Sequence, residues 1–140
     1  MLALGQLPAP IGALAMFDLI TSIVVDLSDQ KLYAYNGAEL VRAIAVSSGK
    51  AGTPTPTYSS QVQSKHETVT MHGRDYVAPG VPWALCLDGG MICLHGAPWQ
   101  EAAGEAFGVP RSHGCVRMPT QQAKWLYQRV SPGTPVTIQL

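Results

Sequence analysis

The chain has 140 residues, of which 46% are hydrophobic and 13% charged, and its formal net charge is zero. That length suits one domain able to bury roughly 68% of its unfolded surface. No basic run or stripe is present, which argues against nucleic acid or an anionic membrane surface as a partner.

Residues 1 to 20 are apolar but contain Pro8 and Pro10, and the first Lys or Arg is Lys31. The stretch therefore lacks the positive n-region of a signal peptide. Its prolines also oppose a spanning helix, so no membrane insertion is expected in this chain. A mature or truncated start is the simplest reading, with residues 1–20 as an apolar segment and 21–140 as the domain.

Ile23 to Leu27 and Lys31 to Tyr35 alternate as strands, joined across Ser28-Asp29-Gln30. Asn36-Gly37 is a turn signal and Leu40 to Val46 the next strand, giving a meander. Gly52, Pro54 and Pro56 make Gly49 to Thr57 a loop. Gln61 to His66 and Val69 to His72 read as two further strands. A Gly-Pro-rich connection then runs through Pro82, and its His72-Gly73 is assigned a structural or rim role.

Leu85-Cys86-Leu87 and Met91-Ile92-Cys93-Leu94 flank Asp88-Gly89-Gly90, a hairpin signature. A two-residue Gly89-Gly90 turn sets Cys86 opposite Cys93 at a hydrogen-bonded ladder site, with Cα atoms about 5.5 Å apart. That spacing permits a disulfide, although side-chain directions there are less favourable. The alternative is a free Cys93 thiol on the face of His95. Either way Cys115 has no partner, as a thiol nucleophile requires.

Between Pro98 and Pro110, a short helix is expected near Gln100 to Ala106. Thr120 to Val130 reads helical, since Ala123, Leu126, Tyr127 and Val130 recur at spacings of three and four. Thr120 is the candidate N-cap, and Pro132-Gly133 ends the segment. Val136 to Leu140 closes the chain as a strand. Many strands with one or two short helices predict a mostly β domain, a β-sandwich or barrel-like mixed sheet.

Ser112-His113-Gly114-Cys115-Val116-Arg117 carries the chemistry. In an extended segment His113, Cys115 and Arg117 share one face, and Val116 points to the core. An imidazole can take a thiol proton to make the nucleophilic thiolate, then return it to a leaving amine. Gly114 lets the backbone bend. The main-chain N–H groups of Gly114 and Cys115 are candidate oxyanion donors. A main-chain carbonyl or the Ser112 hydroxyl is expected to fix the His113 tautomer. The Arg117 fork suits a substrate carboxylate or backbone carbonyl.

Together with the upstream His95-Gly96, the hexapeptide resembles the signature of the L,D-transpeptidase catalytic domain, the YkuD domain. That family carries His-Gly, a gap, then Ser/Thr-His-Gly-Cys-hydrophobic-Arg/Asn. The likeness extends from about Ile23 to Leu140, with Thr57 standing where the family commonly has a glycine before an aromatic. The resemblance implies a bacterial cell-envelope enzyme, periplasmic or otherwise extracytoplasmic. It implies acyl transfer from a peptidoglycan stem tetrapeptide, through a cysteine thioester, to an amine on a second stem or a protein. By position, Cys115 is the nucleophile and His113 the general base, with Ser112 and Gly114 completing the turn. Arg117, His95 and Gly96 are substrate-side residues, and Tyr58 and Trp99 are aromatic candidates for stacking on substrate. No cofactor or metal is expected, the partners are donor and acceptor stem peptides, and the chain is expected to be a monomer.

Three rival readings remain open. Water as acceptor would make the protein an L,D-carboxypeptidase. A catalytically silent wall-binding module is a second. Zinc binding by Cys93, His95, His113 and Cys115 is the third, opposed by the absence of a CxxC or HxxxH cluster and by the charge of Arg117.

Overall fold

β-Branched and aromatic residues at alternate positions build strands along much of the described chain. A computed structural model describes residues 19–89 and 91–140. The expectations for residues 1 to 18 fall outside the described residues. Eight strands run in chain order as β1 (Ser22–Asp26), β2 (Lys31–Asn36), β3 (Glu39–Ala45), β4 (Tyr58–His72), β5 (Val77–Leu87), β6 (Cys93–Gly96), β7 (Val116–Met118) and β8 (Pro135–Gln139). Two short helices join them, α1 (Pro98–Ala102) and α2 (Thr120–Tyr127).

The strands form one mixed sheet in the order β3-β2-β1-β8-β4-β5-β6-β7. β1–β8 and β6–β7 are parallel pairs and the remaining neighbours antiparallel. The sheet curls until its two ends meet. Just beyond β3, Ser47 N–H donates to Arg117 C=O at 2.8 Å, and Arg117 N–H donates back at 2.9 Å. That bridge brings the edge strands together, which gives the barrel-like form expected of the sequence.

Inside lie Ile23, Val25, Leu32, Ile44, Val46, Val62, Leu85, Leu94, Val116 and Ile138, all buried. Ala123 and Leu126 bring the apolar side of α2 onto the same core. Ile20 already belongs to it, and its N–H donates to Arg129 C=O at 3.0 Å.

The structure departs from the sequence reading in the middle of the chain. The two strands expected over 61–72 are one, β4, which starts at Tyr58. The Gly-Pro-rich connection expected through Pro82 is instead the first half of β5. Proline is tolerated there because β6 pairs with β5 only at Leu85 and Cys86. Pro79 and Pro82 thus sit where β5 is an edge, and an edge can lack an N–H. Irregular register at Val69/Met71 and positive φ at Gly80 (67°) and Trp83 (52°) bend the paired strands.

Both helices also differ from expectation. α1 begins at Pro98 and is closed by Gly104 at φ 69°. Pro119, rather than Thr120, takes the N-cap position of α2 and offers no capping side chain. Glu101 of α1 supplies the cap from outside: its carboxylate accepts from Thr120 N–H at 3.1 Å and from the Thr120 hydroxyl. A carboxylate at a helix N-terminus satisfies orphan donors and complements the dipole. Substituting Glu101→Ala should lower the unfolding free energy by about 1 kcal/mol, as for loss of an N-cap; urea titration with an unchanged midpoint would remove Glu101 from this role.

Candidate functional site

The hexapeptide is extended only in its second half. Val116–Met118 forms β7, with Val116 buried and Arg117 facing outward. Ser112 to Cys115 is a bend, with Gly114 at φ 137°, a value that L side chains rarely adopt. The shared face foreseen for His113, Cys115 and Arg117 is therefore produced by a turn and not by strand alternation.

Hydrogen bonds from a distant loop hold that turn. Thr53 Oγ1 donates to Ser112 C=O at 2.9 Å, and Thr55 Oγ1 donates to Gly114 C=O at 2.5 Å. Lys50 N–H also donates to Ser112 C=O, and Gly49 N–H to Thr55 Oγ1. At Gly49 a Cβ would lie 2.0 Å from Thr53 C=O, so only glycine lets this loop close. The Thr-Pro-Thr-Pro run is visible in sequence as a loop, but nothing local reveals which carbonyls its hydroxyls reach.

Ser112 is buried and fastens the turn from within. Its hydroxyl donates to Cys115 C=O and accepts from Gly114 N–H at 3.0 Å. Two sequence expectations are corrected by this. The Ser112 hydroxyl does not orient His113, and Gly114 N–H is committed to the turn instead of standing open as an oxyanion donor. Among the two donors foreseen, the Cys115 amide alone is not spent on Ser112.

Met71, Tyr76, Ala78, Val81, His95, Trp99, Ser112, His113, Cys115 and Arg117 line a cavity of about 230 Å³. The lining comes from β4, the turn after it that carries Tyr76, β5, β6, α1 and the hexapeptide. The sequence-predicted Cys115, His113, Ser112, His95, Arg117 and Trp99 are thus brought together. Tyr58 is not among the lining. As the first residue of β4 it lies on a neighbouring groove with Ser60, Gln61 and Asp88. It is still near the sulfur, because burial and then the Cys115 charge push its phenol pKa up. Gly96 is buried too, and a Cβ there would lie 3.2 Å from Pro82 and from Thr120. It serves as a packing point, and its carbonyl faces His95.

That carbonyl accepts from His95 Nδ1 at 2.6 Å. A carbonyl only accepts, so Nδ1 carries the proton and Nε2 keeps its lone pair. His95 is 4% exposed, and burial, aided by the charge of Arg117 and opposed by the Gly96 bond, pushes its pKa down to about 4. The ring is neutral across the physiological range. His113 differs. Its exposed ring stacks on Tyr76 at 4.3 Å between centroids and hydrogen-bonds no described residue.

Tyr76 is the site residue that sequence reasoning missed. It follows the decoy His72-Gly73, and a Cβ at Gly73 would strike its ring at 1.9 Å. Gly73 N–H donates to Tyr76 C=O at 2.9 Å, closing a tight turn beneath the ring. The aromatic wall against His113 therefore depends on that glycine.

Arg117 is held by the wholly buried Gln100, whose Oε1 accepts from its Nη1 at 3.3 Å. Gln100 Nε2 in turn donates to Ser47 Oγ at 3.0 Å. The guanidinium lies 5.4 Å from the Trp99 ring and makes no ion pair among the described residues. It is a cation held ready for a negative or carbonyl group.

Cys115 Sγ accepts from Cys93 N–H at 3.3 Å and donates to Met91 C=O at 3.8 Å. Burial pushes its pKa up, outweighing the Cys93 N–H and Arg117, both of which pull it down. Burial therefore favours the protonated thiol, so an imidazole must take its proton to make the thiolate. Cys86 and Cys93 form a disulfide, the alternative in which neither is a free thiol, and this also withdraws Cys93 as a zinc ligand. Among the described residues no group of three His, Cys, Asp or Glu side chains could hold a metal ion, and no helix is long and apolar enough to cross a membrane.

Residues 20–138 match the family profile of the L,D-transpeptidase catalytic domain, YkuD. L,D-transpeptidase 1 of Mycobacterium tuberculosis is 27% identical over 127 residues, covering 82% of this chain and 49% of that protein. The chain thus spans about half the length of that curated relative. The crystal structure of the Enterococcus faecium L,D-transpeptidase, a cysteine-to-serine mutant, matches with a TM-score of 0.76 at 30% identity, covering 85% of this chain and 49% of that one. The NMR structure of the catalytic domain from the E. faecium L,D-transpeptidase matches with a TM-score of 0.74 at 30% identity over 84% of this chain and 95% of that one. By its sequence, its mixed eight-stranded sheet and the motif that sheet carries, the chain belongs to the YkuD family of L,D-transpeptidase catalytic domains.

Proposed function

We propose that the protein is a cysteine-dependent L,D-transpeptidase of the cell envelope, acting on peptidoglycan stem peptides through a Cys115 thioester. The observation that carries this reading is a lone thiol in a cavity that also holds two imidazoles and a guanidinium without a carboxylate partner. The Cys86–Cys93 bond supports an extracytoplasmic location, since disulfides persist in oxidising compartments.

The sulfur attacks the carbonyl at the L-centre of the donor's diamino acid. Its proton passes to an imidazole as the S–C bond forms, because both partners are neutral beforehand. The tetrahedral intermediate collapses when the leaving amine takes that proton, and the acyl group stays on sulfur. An acceptor amine then attacks the thioester and loses its proton to the imidazole; the C–S bond breaks, and the departing Cys115 sulfur takes that proton, which restores the thiol and the neutral imidazole. The sequence reading gave the base role to His113. His95 meets its requirements better: its tautomer is fixed by Gly96, with Nε2 left to accept the proton. His113, stacked on Tyr76 at the cavity wall, is assigned to substrate positioning. Arg117 holds a carboxylate or backbone carbonyl of the donor, and Trp99, 39% exposed, offers its face beside it.

Exposure of the protein to a disaccharide tetrapeptide should give an acyl adduct on Cys115, detected by mass spectrometry, and Cys115→Ala should give none while keeping its fold. An adduct that persists in the alanine variant would sink the assignment. Product analysis with and without an added amine separates transfer from hydrolysis.

The base assignment has its own signature. His95→Ala should lower kcat by on the order of 100-fold or more, the usual scale for a positioned acid–base group, with His113→Ala acting more on KM. Because the base works only when neutral, kcat/KM should be lost as pH falls through about 4, the value for His95. An acid limb near ~6.5, where an unperturbed imidazole titrates, would point to another base.

A further inference from the structure

Cys86 and Cys93 pair across β5 and β6, but not in the ladder phase a two-residue Gly-Gly turn would set. Leu87 N–H donates to Ile92 C=O at 2.9 Å, a bond of the class that flanks a non-hydrogen-bonded pair at Cys86–Cys93. Their Cα separation of 4.0 Å agrees, lying nearer the ~4.5 Å of that class than the ~5.5 Å of the other.

The phase decides where an amide points. At a hydrogen-bonded site Cys93 N–H would be used by β5. At a non-hydrogen-bonded site it turns the opposite way, toward the next strand. On that side is the hexapeptide, and Cys93 N–H meets Cys115 Sγ. The same short arm supplies Met91 C=O, the acceptor for the thiol proton. One arm therefore offers an acceptor to the thiol and a donor to the thiolate.

On its far side the arm pairs with β7 at Leu94, His95 and Gly96, but its hold on β5 is short. β6 shares only two register pairs with β5, Leu85–Leu94 and Cys86–Cys93, and Cys93 is its first residue. β5, by contrast, is paired with β4 along most of its length. We propose that the Cys86–Cys93 disulfide is a positioning element for the nucleophile: it ties the arm to β5 in the phase that turns Cys93 N–H onto the Cys115 sulfur. The bond thereby links the protein's thiol redox state to the reactivity of a third cysteine. This inference rests on the reading of Cys115 as the nucleophile.

The test is the pH profile of Cys115 alkylation by iodoacetamide. Trypsin isolates Cys115 in the peptide Ser112–Arg117, apart from Cys86 and Cys93, so its labelling is read separately by mass spectrometry. Dithiothreitol, itself oxidised to its cyclic disulfide, gives two electrons and two protons to the Cys86–Cys93 bond and leaves two thiols. The folded protein so treated, and the Cys86→Val/Cys93→Val variant, should label Cys115 about tenfold more slowly at a fixed mildly alkaline pH. That is the order expected when a hydrogen bond to a charged group is lost. The profile should move to higher pH, and in turnover kcat should fall with KM little changed. Valine pairs pack well across strands, so the variant keeps the ladder's side-chain contact while removing the covalent tie. Should that variant not fold, the dithiothreitol arm decides. An unchanged profile in the folded protein overturns the proposal. A shifted profile in a protein that never forms an acyl adduct shows the disulfide tuning the Cys115 sulfur but sinks the nucleophile reading, and the positioning role falls with it.

Discussion

The site depends on the seam where the sheet meets itself. Ser112 to Cys115 belongs to no regular element, so no ladder dictates its path. Its shape comes from the strap that leaves β3, in which Ser47 bridges Arg117 and the hydroxyls of Thr53 and Thr55 reach the carbonyls of Ser112 and Gly114. Buried polar groups of this kind act as a network, because each unpaired member would be left desolvated. Gln100 extends the network from Ser47 to the guanidinium of Arg117. Barrel closure and active-site geometry are therefore maintained by the same bonds.

A second theme is the dominance of desolvation over local charge. The cavity contains a thiol, a histidine and an arginine, and burial shifts each toward its neutral form. The site at rest is an uncharged thiol beside an uncharged imidazole. Such a pair is poor at reacting with small electrophiles in passing, and becomes useful only when a bound carbonyl accepts electron density as the proton leaves. On the proposed reading, selectivity for a docked acyl donor would follow from dryness as much as from shape.

Much of this was legible in the residues. Period-two alternation located β1, β2, β3 and β8, and the 3.6-residue spacing of Ala123 and Leu126 located α2. The Ser-His-Gly-Cys-Val-Arg order singled out Ser112, His113, Cys115 and Arg117, all of which line the cavity. What escaped was non-local. Pro79 and Pro82 read as loop because single-sequence reasoning cannot see that β6 stops short of them. The ladder phase at Cys86–Cys93 was mistaken because Gly89-Gly90 looks like a complete two-residue turn, whereas the bond from Leu87 N–H to Ile92 C=O sets the opposite phase. Tyr76 gave no signal, since its importance lies in a ring stacked on a residue far along the chain.

The place of β8 has a consequence for how the molecule is made. The last strand in the chain is not at the margin of the sheet; it sits between β1 and β4 and pairs with both. Until Pro135–Gln139 is available, the meander of β1 to β3 and the long hairpin of β4 and β5 each present a bare flank of unsatisfied amides and carbonyls. Such flanks are templates for association with other chains. Contacts between sequence-distant strands also form slowly. Folding thus passes through an interval of vulnerability that ends only when Pro135–Gln139 slides into the gap between β1 and β4.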